Sequence, residues 1–122
     1  KIEQEALRRG KKAVIAVCGP EGNPIAVHVM DGAFLVSFDV ALKKAYTSVA
    51  VKMSTMELSK LAQPGGTFYG VDKMDGGKIV IFGGVPLKSG DTIIGGLGIS
   101  GGTGEEDHSL AEYALSVLPE IL

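Results

Sequence analysis

The sequence predicts an α+β domain in which strands pair antiparallel and helices flank the pairs. Three observations carry that reading. Two apolar runs, 13–18 and 25–30, are separated only by Gly19-Pro20-Glu21-Gly22-Asn23-Pro24. That link is too short for the crossover a parallel pair needs, so the two runs form a hairpin. Two later runs, 79–82 and 92–100, are again joined without a helix. Helical segments lie at both ends and in the middle, so strands are grouped instead of alternating with single helices.

In chain order, residues 1–10 read as the end of a helix, with Ile2, Ala6 and Leu7 on one stripe and Gly10 as the stop. After the first hairpin, Asp31-Gly32-Ala33 breaks the strand. Ser37 is placed to cap a helix over 38–53, whose Ala41, Ala45 and Ser48 share a narrow face beside Lys44. Ser54 and Glu57 have capping-box spacing and start a shorter helix that ends before Pro64. Residues 64–78 form a long irregular segment with Phe68 and Tyr69 as its anchors. A strand over 79–82, a loop or hairpin end over 83–91 and the last strand over 92–100 follow. Thr103 with Glu106 caps the closing helix, whose Leu110, Ala111, Ala114, Leu115 and Leu118 recur at core spacing up to Pro119.

The last strand is the unusual element. Alternation puts Ile93, Gly95, Leu97 and Ile99 on one face and Ile94, Gly96, Gly98 and Ser100 on the other, leaving the second face nearly bare. Glycine weakens a strand, so such a run marks a close approach by another backbone or by a ligand. The small-residue face of the 41–48 helix is the partner expected on it, with Gly101, Gly102 and the Thr103 cap forming one wall of a pocket near Lys44.

At 122 residues the chain is a single domain, 1–122, large enough to bury about two thirds of the surface its unfolded form exposes. Its 45% hydrophobic and 21% charged residues are ordinary for a globular protein. No apolar run approaches the roughly 18 to 20 residues of a membrane helix. The one basic cluster, Arg8-Arg9-Gly10-Lys11-Lys12, is too small for a nucleic-acid face. The single Cys18 forms no internal disulfide, which suits a reducing, cytoplasmic setting. The opening reads as charged and helical without a signal peptide, although one thiol is also compatible with an exported form whose leader has been removed.

Two catalytic-looking motifs fall in the glycine-rich stretch. Gly98-Ile99-Ser100-Gly101-Gly102 matches the G-x-S-x-G nucleophile elbow, but the only later acid and histidine of use, Asp107 and His108, are too close in sequence for a triad. Gly96-Leu97-Gly98-Ile99-Ser100-Gly101 matches G-x-G-x-x-G, but no βαβ unit follows, and Glu105, Glu106 and Asp107 would repel a pyrophosphate. His28 and His108 are the only histidines, with no zinc spacing around them. Haem iron needs only one or two axial ligands, which His28, Met30 or a second subunit would supply. His108 reads as a surface residue, and Met53, Met56 and Met74 as core or interface filler. Lys44 has two readings, a long stem pairing with Asp107 or an anion contact in a pocket.

Four blocks together resemble a known family. They are Val27-His28-Val29-Met30-Asp31-Gly32-Ala33, Ala41-Leu42-Lys43-Lys44-Ala45-Tyr46-Thr47, Phe82-Gly83-Gly84-Val85-Pro86-Leu87, and Ile94 through Gly102 with Glu106-Asp107. In order and spacing they resemble the GlcG/HbpS-like family, which includes the C-terminal domain of PduO. The resemblance implies a profilin-like α+β fold with a five-stranded antiparallel sheet flanked by helices, and a homo-oligomer from dimer to octamer. It also implies haem binding, or a place beside enzymes of glycolate, glycerol or propanediol utilisation. Many relatives carry arginine just before Met-Asp-Gly, where this chain has Val29, so a contact made by that arginine does not transfer.

The leading expectation is therefore a homo-oligomeric binding protein for a small molecule, with haem as the cofactor. Lys44, Ser100, Gly101, Gly102 and Asp107 are its ligand-binding residues, and His28 is the metal ligand. The alternative is a non-catalytic accessory protein of one of those pathways with no haem role. An enzyme acting on a small polar substrate through Lys44, Ser100 and Asp107 ranks third. No membrane or nucleic-acid partner is expected.

Overall fold

The computed structural model describes residues 1–120 apart from Met74, Lys78 and Ile81. The elements are α1 (Ile2–Arg8), β1 (Val14–Cys18), β2 (Pro24–Val29), α2 (Ser37–Ala50), α3 (Thr55–Leu61), β3 (Gly84–Ser89), β4 (Thr92–Ser100) and α4 (Gly104–Val117). The strands form one sheet in the order β2-β1-β4-β3, with every neighbouring pair antiparallel. The α+β class and the first hairpin stand as read from the sequence.

The sheet has four strands among the described residues, not the five expected. Ile79 and Val80 make no strand pairing, and Ile81 lies outside the described residues. Phe82 (φ 65°) and Gly83 (φ 89°) then take left-handed backbone, which an extended strand does not accommodate. The segment expected to be a loop, 83–91, instead supplies β3. Pro86 is tolerated there because β3 is an edge strand, where its missing N–H breaks no ladder bond. Ser89 pairs with Thr92 across a Gly90-Asp91 turn, and the register shifts between Leu87 and Lys88, so Ile94 sits at a bulge and is partly exposed.

Three layers result. On one face of the sheet, Val14, Ala16 and Cys18 of β1 meet Ala41 and Ala45 of α2. On the other, Ile15, Val85, Leu97 and Ile99 pack against Leu110, Ala111 and Ala114 of α4 and Ala6 of α1. Burial raises the Cys18 thiol pKa, so the thiol stays protonated. On α1, Ala6 is buried but Leu7 is exposed, so the expected apolar stripe is narrower than read.

The caps are mostly as expected. Thr103 and Glu106 form both halves of a capping box, and the Ser54 hydroxyl accepts the Glu57 N–H at 3.2 Å. Ser37 is not a cap: Val36 holds that position, and the buried Ser37 hydroxyl instead accepts a hydrogen bond from Ser100 at 3.2 Å. The 64–78 segment contains two 3-10 turns, Val71–Lys73 and Asp75–Gly77. Phe68 and Tyr69 do not anchor it, since both side chains are exposed. Its ties are polar: the Tyr46 hydroxyl donates to Asp75, and Thr47 Oγ1 accepts the Val80 N–H at 3.1 Å. The bond to Asp75 holds the Tyr46 hydroxyl pKa above its usual value. Met74 and Lys78 lie outside the described residues.

Candidate functional site

The bare face of β4 is filled by backbone. A side chain at Gly98 would run into the carbonyl of Ala41 and come within 2.6 Å of the Ala45 nitrogen and 3.0 Å of Lys44 Cβ. At Gly96 it would meet the Ala45 carbonyl at 2.5 Å and Ser48 Oγ at 2.7 Å. Gly84, paired with Gly98 across the sheet, lies equally close under Lys44. These glycines form a trough in which α2 lies, as the sequence predicts for Gly96 and Gly98. The close approach is by another backbone and not by a ligand.

At the end of the trough, the five expected ligand-binding residues come together. Lys44 Nζ is buried and donates to the Ile99 carbonyl at 2.8 Å and to Asp107 Oδ2 at 2.9 Å. Asp107 also accepts the N–H of Gly102 at 2.8 Å and that of Gly101 at 3.4 Å, so α4's first turn is tied to the end of β4. Ser100 bonds Ser37. Gly83 closes over the pair, because a Cβ there would lie 3.0 Å from Lys44 Nζ and 2.9 Å from Asp107 Cβ. The cluster thus satisfies its own polar groups, as a buried charge pair must.

A cavity of about 470 Å³ opens on the other face of the sheet. Ile15 and Val17 of β1, Leu87 of β3 and Leu97 of β4 form its floor, and Ile2, Ala114 and Leu118 form its walls. The lining is apolar because these strand residues share one face in alternation. His28 stands at the rim: β2 pairs it with Ile15, which turns its imidazole toward the cavity. Its Nε2 lies 2.6 Å from Glu3 Oε2 of α1, and both side chains are about half exposed. Lys1 lines the same rim and pairs with Glu120 at 2.8 Å.

Met30 is buried, with its sulfur accepting the Ala13 N–H at 3.5 Å, so it does not reach this cavity as a second donor. His108 corrects its sequence reading. Its side chain is mostly buried, with Nε2 3.1 Å from Glu112 and Nδ1 without a hydrogen-bond partner among the described residues. Sequence reasoning missed the cavity and Glu3. The alternation in 13–18 marked two buried faces, but nothing local showed that one face would be left incompletely filled.

The apolar cavity with a single imidazole at its mouth has the size and lining of a small-molecule site. Comparison with known proteins bears on which family builds it. Residues 1–116 match the family described as haem degrading protein HbpS-like. The uncharacterized 15.0 kDa protein of the dhaT-dhaS intergenic region in Citrobacter freundii is 39% identical over 121 residues, covering 98% of this chain and 85% of that protein. The corrinoid adenosyltransferase PduO of Salmonella typhimurium is 42% identical over 106 residues, 86% of this chain but only 32% of that longer protein. The crystal structure of a PduOC:heme complex superposes with a TM-score of 0.91 at 38% identity, covering 96% of this chain and 86% of that one. The chain belongs to the HbpS-like family.

Proposed function

We propose that this protein binds haem without catalysing a reaction, holding it against the apolar cavity between the sheet and the α1–α4 layer with His28 as axial ligand. The observation that carries this is the cavity itself, about 470 Å³, apolar throughout its floor and open beside one imidazole. A haem macrocycle is flat and mostly apolar, and its iron takes a neutral imidazole nitrogen, so the residues present fit the group. Lys1, a cation in the cavity lining, would pair with the haem carboxylates. Bound there, haem would supply a redox-active iron whose potential is set by its ligand and by burial. The haem complex of a 38% identical structure supports the same reading.

In this reading the Lys44, Ser100, Gly101, Gly102 and Asp107 cluster is a frame that fixes α2, β4 and α4 to one another, because its polar groups are spent on each other. Self-association belongs to the proposal too. Phe34, Leu35, Val36 and Phe38 are exposed in sequence beside the edge strand β2, with Leu35 at 95%. A cluster of that kind favours burial against a second copy. The second reading, an accessory protein of diol or glycolate utilisation without haem, is favoured by the likeness to part of a corrinoid adenosyltransferase.

Haem titrated into the purified protein decides between them. A Soret shift at micromolar ligand is expected, and its absence removes the haem reading. An unchanged bound spectrum for His28→Ala would remove the ligand assignment. Light scattering should give more than a monomer mass.

A further inference from the structure

The cavity mouth is crossed by the first turn of α1. Two ion pairs hold that turn down, Lys1 to Glu120 beside the end of α4 and Glu3 to His28 on β2. Lys1, Ile2, Glu3 and His28 all line the cavity, while Glu3 and His28 are also half open to solvent, which places their contact at the rim. The contact uses Nε2 of the imidazole at 2.6 Å. A nitrogen whose N–H is donated to a carboxylate has no lone pair for a metal.

We propose that Glu3 is a latch. It closes the first turn of α1 over the apolar cavity and occupies the imidazole nitrogen that a ligand of this cavity would take, so that ligand entry releases Glu3 and frees His28 in one movement. The cavity and the latch stand on geometry alone. The identity of the incoming group as haem rests on the function proposed above. Exposed ion pairs are weak, so the latch is easily opened, and removing it raises affinity by about 1.5- to 5-fold.

Two probes separate the latch from the ligand. The aromatic anion 1-anilinonaphthalene-8-sulfonate, a dye that fluoresces in apolar surroundings, reports access to the cavity, and haem reports coordination through the Soret band. Glu3→Ala, with Glu3→Gln as the milder variant, should bind both probes more tightly than wild type while far-ultraviolet circular dichroism stays unchanged and the melting temperature falls by no more than a few degrees. His28→Ala should bind the dye more tightly in the same way but lose the haem shift. The reading is of the difference from wild type, because the exposed patch at 34–38 contributes equally to every variant. Dye affinity unchanged in both Glu3 and His28 variants overturns the latch. So does weaker haem binding in Glu3→Ala, which would mean that Glu3 supports a ligand bond made through Nδ1. If wild type shows no Soret shift, the haem reading fails, and the dye comparison still decides the latch.

Discussion

The two faces of the sheet are built on opposite plans. Under α2 the sheet offers Gly84, Gly96 and Gly98, so the helix backbone settles almost onto the strands and no room is left. Under α1 and α4 the same sheet offers Ile15, Val17, Leu87 and Leu97, which hold the helices off and leave about 470 Å³ between them. Small residues thus gave the solid face and large residues the hollow one. Backbones meeting through glycine match surfaces closely, whereas aliphatic side chains with fixed rotamers leave a void wherever the opposing side chains do not reach it.

That contrast is most sharply tested at the charge pair which closes the solid face. Lys44→Met leaves Asp107 buried without its cation, and denaturant unfolding should show a loss of about 3 to 5 kcal/mol. Adding Asp107→Asn, which keeps an acceptor for the Gly102 N–H, should recover part of that loss. A stable Lys44→Met protein that has lost haem would instead make the pair a ligand contact and overturn its structural part.

A smaller effect separates the faces directly. Gly98→Ala puts a methyl into the Ala41 carbonyl and should cost about 1 to 3 kcal/mol by the same measurement. Ala114→Val, with extra carbons directed at the cavity, should cost under about 1.5 kcal/mol and weaken haem binding. Equal costs at the two sites would mean that the faces are packed alike.

The smallest effect concerns the helix that closes the hollow face. Arg8 first, and then Arg9, hold the Glu5 carboxyl at about 2 against an ordinary value of 4.5. A depressed carboxyl contributes stability that is fully present above 4.5 and lost as pH falls through about 2. Glu5→Gln should therefore lower the melting temperature slightly at neutral pH, with the difference from wild type closing as pH falls from 4.5 toward about 2. An unaltered acid limb would show that α1 is not held by this pair.

Much of the solid face was legible beforehand. The alternation in 92–100 exposed its glycines, the 41–48 spacing supplied a helix of small residues to meet them, and Lys44 with Asp107 was one of two readings for that lysine. The hollow face was not legible. Its floor and walls come from Ile2, Ile15, Leu87, Leu97 and Leu118, which are spread over the whole chain. The strand expected over 79–82 also failed for a non-local reason. Phe82 packs over Gly104 and Gly83 over Lys44 and Asp107, so tertiary contacts accompany a left-handed backbone where local apolarity suggested extension.

What the sequence by itself determined is therefore what acts within a few residues: strand alternation, helix spacing, the Thr103 cap and the glycine turns. Only the tertiary structure decided where the cavity lies, that Ser37 faces Ser100, and that Glu3 reaches His28 twenty-five positions away. Periodicity assigns each side chain a face, but the volume left between two faces depends on where helices end and how far they stand from the sheet. Those quantities are set when distant segments pack, and no single stretch of the chain encodes them.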